Sequence, residues 1–193
     1  MQSTFAPVRL IALWLVVVTA PALAKNVELP PNVTLRKGNM SGDYIDTITQ
    51  EARGAAFAKL KLCLAQNVSN APVTITGGTD APFSIGTKTQ TSTIQGGDLF
   101  KYEDAAAGIV IAVGSADGGR SVFSSEIIRF ELMAETTADR TVLKFTNIAR
   151  VTQNTGTVTN SGFIPVGAWK GAKPLAVVET LTQLGGRIDA CLQ

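Results

Sequence analysis

The sequence predicts an α+β fold, an antiparallel β-sheet of about six to eight strands with one or two helices packed on one face. Residues 126–135 and 141–151 are two long segments in which apolar and polar side chains alternate, as in a hairpin with one solvated face. From Pro174 onward the apolar residues instead recur every three or four positions, as in an amphipathic helix. Cys191 lies on the apolar side of that helix, so a disulfide could tie the helix to the sheet.

The first 24 residues have the pattern of a secretory signal peptide. Arg9 is the only charge before Lys25, an apolar stretch runs from Leu10 to Val18, and Ala22-Leu23-Ala24 provides the small residues that precede a cleavage site. The alternative, a membrane anchor, needs about 20 apolar residues, and this stretch has about half that number. We therefore expect a signal peptide over residues 1–24, a single α+β domain over residues 25–193, and no transmembrane segment after cleavage.

The chain has two cysteines, Cys63 and Cys191, and both follow the expected signal peptide. In an oxidising compartment, two cysteines in one domain usually form a disulfide. Two free buried thiols and an intermolecular bond are the alternatives. We expect an intramolecular disulfide between Cys63 and Cys191 that joins the C-terminal helix to the core.

Two adjoining segments in the first half of the chain are predicted from their periodicity. Residues 43–58 place Ile45, Ile48 and Ala52 at helical spacing, which predicts a helix. In residues 58–66 the leucines alternate with other residues, which predicts a strand, with a continuation of the helix as the rival interpretation.

Shorter strands and turns complete the expected sheet. Val73–Thr76 is predicted as a strand, and the β-branched stretch Ile109–Val113 as a strand that is buried on both faces. The pairs Gly77-Gly78, Gly96-Gly97 and Gly118-Gly119 are interpreted as hairpin turns, and residues 153–162 as a loop. Within the long hairpin, the inward side chains are expected to be Ile128, Phe130, Leu132, Ala134, Leu143, Phe145, Ala149 and Val151.

The composition excludes several classes of function. The chain has 17 Lys and Arg, 15 Asp and Glu, a net charge of +2 and no histidine. Without histidine, Ser-His-Asp catalysis, His-ligated zinc and a histidine pH switch are excluded. The near-neutral charge argues against nucleic-acid binding, and no phosphate-binding, calcium or zinc motif is present, so we expect no cofactor and no metal.

Few residues stand out as candidate functional groups. Trp169, in a glycine-flanked stretch, is a candidate for a partner-binding anchor, and the alternative is that it fills a gap between sheet and helix. A carboxylate-based hydrolase would draw on acidic residues that are otherwise interpreted as ordinary surface charges, namely Glu103, Asp104, Glu126, Glu131 and Glu135. Asn32, Asn39 and Asn67 each begin an Asn-x-Ser/Thr sequon, which matters only in a eukaryotic secretory pathway.

These observations favour an exported, non-enzymatic binding or accessory protein, either periplasmic in a bacterium or secreted, that acts on a protein or envelope component. Inhibitors, immunity or exclusion proteins and assembly factors fit this description. The alternatives are a hydrolase of cell-wall or extracellular polymer and a carrier of an apolar ligand between sheet and helix. The sequence does not determine the oligomeric state.

The first testable prediction is the processing site. The protein recovered from the cell envelope should begin at Lys25, because Ala22-Leu23-Ala24 presents the small residues at which a signal peptidase cleaves. Intact mass spectrometry measures the N-terminus directly. Recovery of a chain that still carries residues 1–24 would contradict the prediction.

Overall fold

The computed structural model describes residues 27–38, 42–79, 88–120 and 124–193. The expected signal peptide and the Asn39 sequon lie outside the described residues. In the described part of the chain the strands are β1 (Val33–Lys37), β2 (Asp43–Arg53), β3 (Val73–Gly78), β4 (Thr89–Ile94), β5 (Phe100–Asp104), β6 (Ile109–Arg120), β7 (Ser125–Thr136), β8 (Arg140–Thr152), β9 (Asn154–Thr159) and β10 (Ile164–Pro165). The helices are α1 (Phe57–Asn67), α2 (Pro174–Cys191) and a short 3-10 helix at Lys170–Ala172.

The strands form two sheets. The main sheet has seven strands in the order β1-β2-β8-β7-β6-β5, with the short β10 also paired to β8, and all its pairs are antiparallel. The small sheet has the order β4-β3-β9, in which β3 is antiparallel to β4 and parallel to β9. The predicted α+β class, the antiparallel sheet and the expected number of strands are confirmed.

The β7–β8 hairpin forms the centre of the main sheet, as predicted. Ile128, Phe130, Leu132 and Ala134 on β7 are buried, as are Leu143 and Phe145 on β8. The rings of Phe130 and Phe145 meet edge to face with centroids 5.3 Å apart, an arrangement that adds to the burial of their apolar surface. Glu131 and Lys144, on the opposite face, are half-buried.

A β-bulge on β8 makes the predicted position of Ala149 wrong. Arg129 pairs with Ala149 and Glu131 pairs with Thr146, so that two residues of β8, Asn147 and Ile148, lie opposite the single residue between Arg129 and Glu131. The extra residue shifts the alternation of side chains. Ile148 therefore enters the helix-covered core in place of Ala149, which is half-buried. The predicted face of Val151 is wrong for the same reason, since Val151 is buried on the opposite face of the sheet, against Val73 and Ile75.

The predictions for residues 43–58 and 58–66 are both wrong: a strand stands where a helix was predicted, and a helix stands where a strand was predicted. The first segment contains strand β2, and the second lies in helix α1. Two consecutive residues of β1, Thr34 and Leu35, pair with Thr47 and Ile45 of β2. Asp46, between these two β2 residues, is therefore an extra residue without a partner on β1. This bulge separates the buried Ile45 and Ile48 by three positions, which imitates the period of a helix.

In α1 the alternating leucines misled the sequence interpretation. Leu60, Cys63 and Leu64 are buried, at the three- and four-residue spacing of a helix, whereas Leu62 is 52% exposed. The rival interpretation, a continuation of the preceding helix, is right that this segment is helical, but the helix that it was to continue is strand β2.

Three further expectations are corrected. The segment expected to be a loop contains β9, which pairs with β3. The Gly-Gly pairs are not hairpin turns: Gly77-Gly78 ends β3, Gly96-Gly97 follows β4, and Gly118-Gly119 lies in β6. Residues 109–113 are buried on alternate positions only, with Val110 and Ala112 in the core and the others half-buried, because one face of β6 has no covering layer.

Both helices pack on the same face of the main sheet. Leu60 and Leu64 of α1 and Leu181, Leu184 and Ile188 of α2 belong to one core cluster with the inward residues of the hairpin. The predicted disulfide is present: Cys63 in α1 is bonded to Cys191 in α2, 128 positions away. Pro174 opens α2 and the helix runs unbroken through Gly185-Gly186, with Gly185 against the Gln50 side chain of β2. Among the described residues, no helix is both long and apolar enough to cross a bilayer.

The second testable prediction concerns the disulfide. Cys191→Ser should lower the free energy of unfolding by about 2–5 kcal/mol, because the bond restricts the unfolded chain over most of its length. Urea melts of the unreduced protein measure this loss, and hydrogen exchange should show α2 opening first.

Cys63→Ser provides the matched control. It removes the same bond, so it should cost about as much as Cys191→Ser, and the double variant should lose little more than either single one. A loss below about 1 kcal/mol for both single variants would show that the bond contributes little to stability.

Candidate functional site

Trp169, the candidate anchor, packs at the start of β2. Its ring meets the Tyr44 ring edge to face with centroids 5.4 Å apart, and the Arg36 guanidinium lies 5.5 Å from the centroid of the same Tyr44 ring. The backbone of Gly167 lies directly beneath the indole, because a Cβ atom built there would be 2.3 Å from it. Trp169 is half-buried in this arrangement, and its anchor function stays a prediction.

The two faces of the main sheet have different surroundings. One face carries α1 and α2, and the small sheet covers one end of the other through a minor core of Val73, Ile75 and Val151. The remainder of this second face, called the open face here, carries apolar side chains that are half-buried or exposed, namely Tyr102, Ile109, Ile111, Val113, Met133 and Val142. Charged residues, including Glu131 and Lys144, lie between them.

A cleft of about 610 Å³ lies where the open face meets the small sheet. Its rim is the segment from Gly96 to Asp98 together with Asn70, and its lining on the main sheet comes from Lys101, Val113, Arg129, Glu131 and Asn147. We call this the sheet cleft. Its lining combines apolar surface with charges of both signs and two side-chain amides.

Close backbone contact holds the rim of the sheet cleft. The Nδ2 atom of Asn70 donates hydrogen bonds to the carbonyl oxygens of Gly97 and Asp98, each at 3.2 Å. A Cβ atom at Gly96 would lie 2.0 Å from the carbonyl oxygen of Asn70, so only glycine allows this approach. Gly96 thus has a structural role at the cleft that the sequence interpretation missed.

Three charged side chains of the sheet cleft, those of Lys101, Glu131 and Arg129, are held by partners. Lys101 Nζ on β5 lies 2.7 Å from the Glu131 carboxylate on β7, so this ion pair reaches across the intervening strand β6. The Arg129 guanidinium donates to the carbonyl oxygen of Gln95 at 3.3 Å and lies 5.4 Å from the centroid of the Phe163 ring. Arg129 therefore links the main sheet to the segment that follows β4.

Asn147, the bulge residue of β8, is exposed and has φ +50°, in the left-handed region that asparagine tolerates better than most residues. It lines the sheet cleft and also a second cleft of about 430 Å³, whose other walls include Arg36, Asp46 and Pro165. A backbone conformation of this kind beside a cleft is often part of a binding site. Nothing in the sequence pattern marked Asn147, because a bulge is invisible to the two-residue period.

Most of the carboxylates considered for a hydrolase have partners in the fold. Glu126 lies 3.5 Å from Arg150 and 3.6 Å from Lys173. Glu131 pairs with Lys101 at 2.7 Å and Glu103 with Lys61 at 2.6 Å.

The other two carboxylates lie at the ends of strands. Asp104 accepts hydrogen bonds from the backbone N–H groups of Ala106 and Ala107, and Glu135 is exposed near the end of β7. Within the described ranges, no group of three or more His, Cys, Asp or Glu side chains could hold a metal ion.

Comparisons with known proteins give one distant likeness. No protein-family model and no curated protein matches the sequence. Among solved structures, the chain is similar to a DUF4468 family protein from Bacteroides ovatus, with 8% sequence identity and a TM-score of 0.39 over 81% of this chain and 85% of that one. A likeness this distant supports no conclusion about function.

The third testable prediction concerns the bulge that lines both clefts. Asn147→Gly should leave the free energy of unfolding within about 0.5 kcal/mol, because glycine adopts a positive φ without steric cost. Asn147→Val should lower it by about 1–2 kcal/mol, because a β-branched side chain is strained there. Urea melts compare the two variants.

Thr146→Val is the control, since the preceding residue has no positive φ and should tolerate the same side chain at a cost below about 1 kcal/mol. An equal loss for Asn147→Val and Thr146→Val would contradict the role of backbone strain at the bulge.

Proposed function

We propose that the chain is an exported, periplasmic, non-enzymatic protein that binds a polypeptide segment of a partner protein on its open face and in the sheet cleft. The observation that carries the proposal is the difference between the two faces of the main sheet. The helices bury one face in a continuous core, while apolar side chains on the other remain accessible. Contiguous apolar surface rimmed by polar groups is typical of interaction sites.

The lining of the sheet cleft supports a polypeptide as the ligand. A polypeptide presents amide groups, charges of both signs and apolar side chains at close spacing. The cleft offers the Asn147 amide, the Lys101–Glu131 ion pair and the side chain of Val113 within one concave surface. Recognition of a single anion or cation would instead favour an excess of one sign of charge.

The disulfide supports the proposal that the protein is exported, and the surroundings of the carboxylates support the proposal that it is not an enzyme. The Cys63–Cys191 bond is the kind that persists in oxidising compartments, which accords with export. Glu103, Glu126 and Glu131 each lie beside a cation, which favours structural roles for them over a pair of carboxyl groups that flank a substrate.

The fourth testable prediction assigns the binding surface. Tyr102 lies across from Ile111 on the open face and is 51% exposed, and tyrosine is enriched among residues that dominate interface energies. A photo-reactive amino acid at Ile111 in living cells should cross-link to one partner protein. With that partner purified, Tyr102→Ala should weaken binding about tenfold or more.

Leu62 is the matched control, because it is an equally exposed large apolar residue, at 52%, on the helical side of the molecule. Leu62→Ala should leave binding unchanged, and a photo-reactive residue at Leu62 should give no adduct with the same partner. The proposal is wrong if the partner cross-links through Leu62 and not through Ile111, or if Tyr102→Ala and Leu62→Ala weaken binding equally.

A further inference from the structure

In the described part of the chain, β1 and β5 are the outer strands of the main sheet's continuous order, and β4 and β9 are those of the small sheet. The two outer strands of the main sheet resist pairing with a further strand. Natural proteins block such edges with charges, prolines and bulges, because an outer strand otherwise presents unpaired backbone N–H and C=O groups. β1 has a register shift between Thr34 and Leu35 and ends in Arg36 and Lys37. β5 has a register shift between Phe100 and Tyr102 and carries Lys101, Glu103 and Asp104.

The outer strands of the small sheet differ from each other. β9 pairs irregularly with β3 and contains Gly156 at φ +64°, which breaks its extended conformation. β4 has neither defect. Its six residues, Thr89–Ile94, pair with β3 in an unbroken register.

β4 also lacks the chemical features that protect an edge. It contains no charged residue and no proline, five of its six side chains are exposed, and its threonines and isoleucine favour extended backbone. Among the described residues, none pairs with its outer side. β4 is therefore the outer strand best suited to receive another strand.

We propose that two copies of this chain associate through β4, in an antiparallel pair about a twofold axis at Thr91, so that the two small sheets become one six-stranded sheet. An axis perpendicular to the sheet places one residue opposite its own copy. With Thr91 at that position, Thr89 lies opposite Thr93 of the second copy. Three threonine pairs then form between the two copies on one face of the sheet: Thr91 with Thr91, and Thr89 with Thr93 twice.

The chemistry of β4 favours a second copy of the same strand. Threonine pairs across neighbouring strands stabilise sheets, and β4 already makes them with β3: the Oγ1 atoms of Thr74 and Thr93 are 3.4 Å apart and those of Thr76 and Thr91 are 3.5 Å apart. Because β4 is uncharged, its self-pairing opposes no like charges. The second copy extends the existing threonine pairing across the edge.

The short length of β4 limits the strength of the dimer, and the position of β4 determines where the two clefts lie. A pair of six-residue strands buries less than the roughly 800 Å² per partner of a standard stable interface, so the dimer should form at high protein concentration and dissociate on dilution. Gly96, on the rim of the sheet cleft, lies two residues after the end of β4. In an antiparallel dimer the two sheet clefts therefore lie near opposite ends of the paired β4 strands, which are about 20 Å long. The proposal does not depend on what the clefts bind.

Sedimentation velocity over a range of concentrations tests the proposal, with the exported protein and its disulfide intact. The wild-type protein should show a monomer–dimer equilibrium. Thr91→Lys and Thr91→Glu should each weaken dimerisation about fivefold or more, because each places two like charges opposite one another at the axis. An equimolar mixture of the two variants should recover dimerisation, because lysine then faces glutamate.

Thr157→Lys is the matched control, because it makes the same change at an exposed threonine on the other outer strand of the small sheet. It should dimerise as the wild type does, and thermal melts should show that all variants remain folded. The proposal is overturned if the wild-type protein stays monomeric up to millimolar concentration, if Thr91→Lys and Thr157→Lys weaken dimerisation equally, or if the mixture of charged variants does not recover it.

Discussion

The covalent link between α1 and α2 is the constraint on which the arrangement of the molecule depends. Cys63 joins the segment after β2 to Cys191 at the end of α2, so the first and last parts of the fold are held together. α2 also meets β2 directly, since the backbone N–H of Arg53 donates to the Asp189 carboxylate at 2.8 Å. These contacts keep both helices on one face of the main sheet.

One-sided coverage determines which surface is available for binding. A sheet that places its helices on a single face must leave the other to solvent, to a second layer or to a partner. Here the small sheet supplies a second layer only at one end, around Val73, Ile75 and Val151. The boundary between covered and uncovered parts of the open face forms the sheet cleft, so the candidate site follows directly from the layer arrangement.

The sequence predicted the parts of the fold in which regular periodicity is uninterrupted. The central residues of the β7–β8 hairpin, helix α2 and the disulfide all obey simple rules of alternation, helical spacing and cysteine pairing. The prediction failed at β2 because the extra residue Asp46 gives Ile45 and Ile48 a helical spacing. It failed at α1 because Leu62 faces solvent while Cys63 completes the buried side of the helix.

Two irregularities that the sequence interpretation missed lie beside clefts of the main sheet. Asp46 on β2 and Asn147 on β8 are the extra residues of two bulges, and both line the second cleft. A bulge leaves a residue without a cross-strand partner and bends the strand, so it turns a flat pleated surface into a concave one. Periodicity identifies the residues that build the core, whereas the departures from it lie beside the two clefts. The sequence therefore predicted the core of this protein more completely than its candidate binding surface.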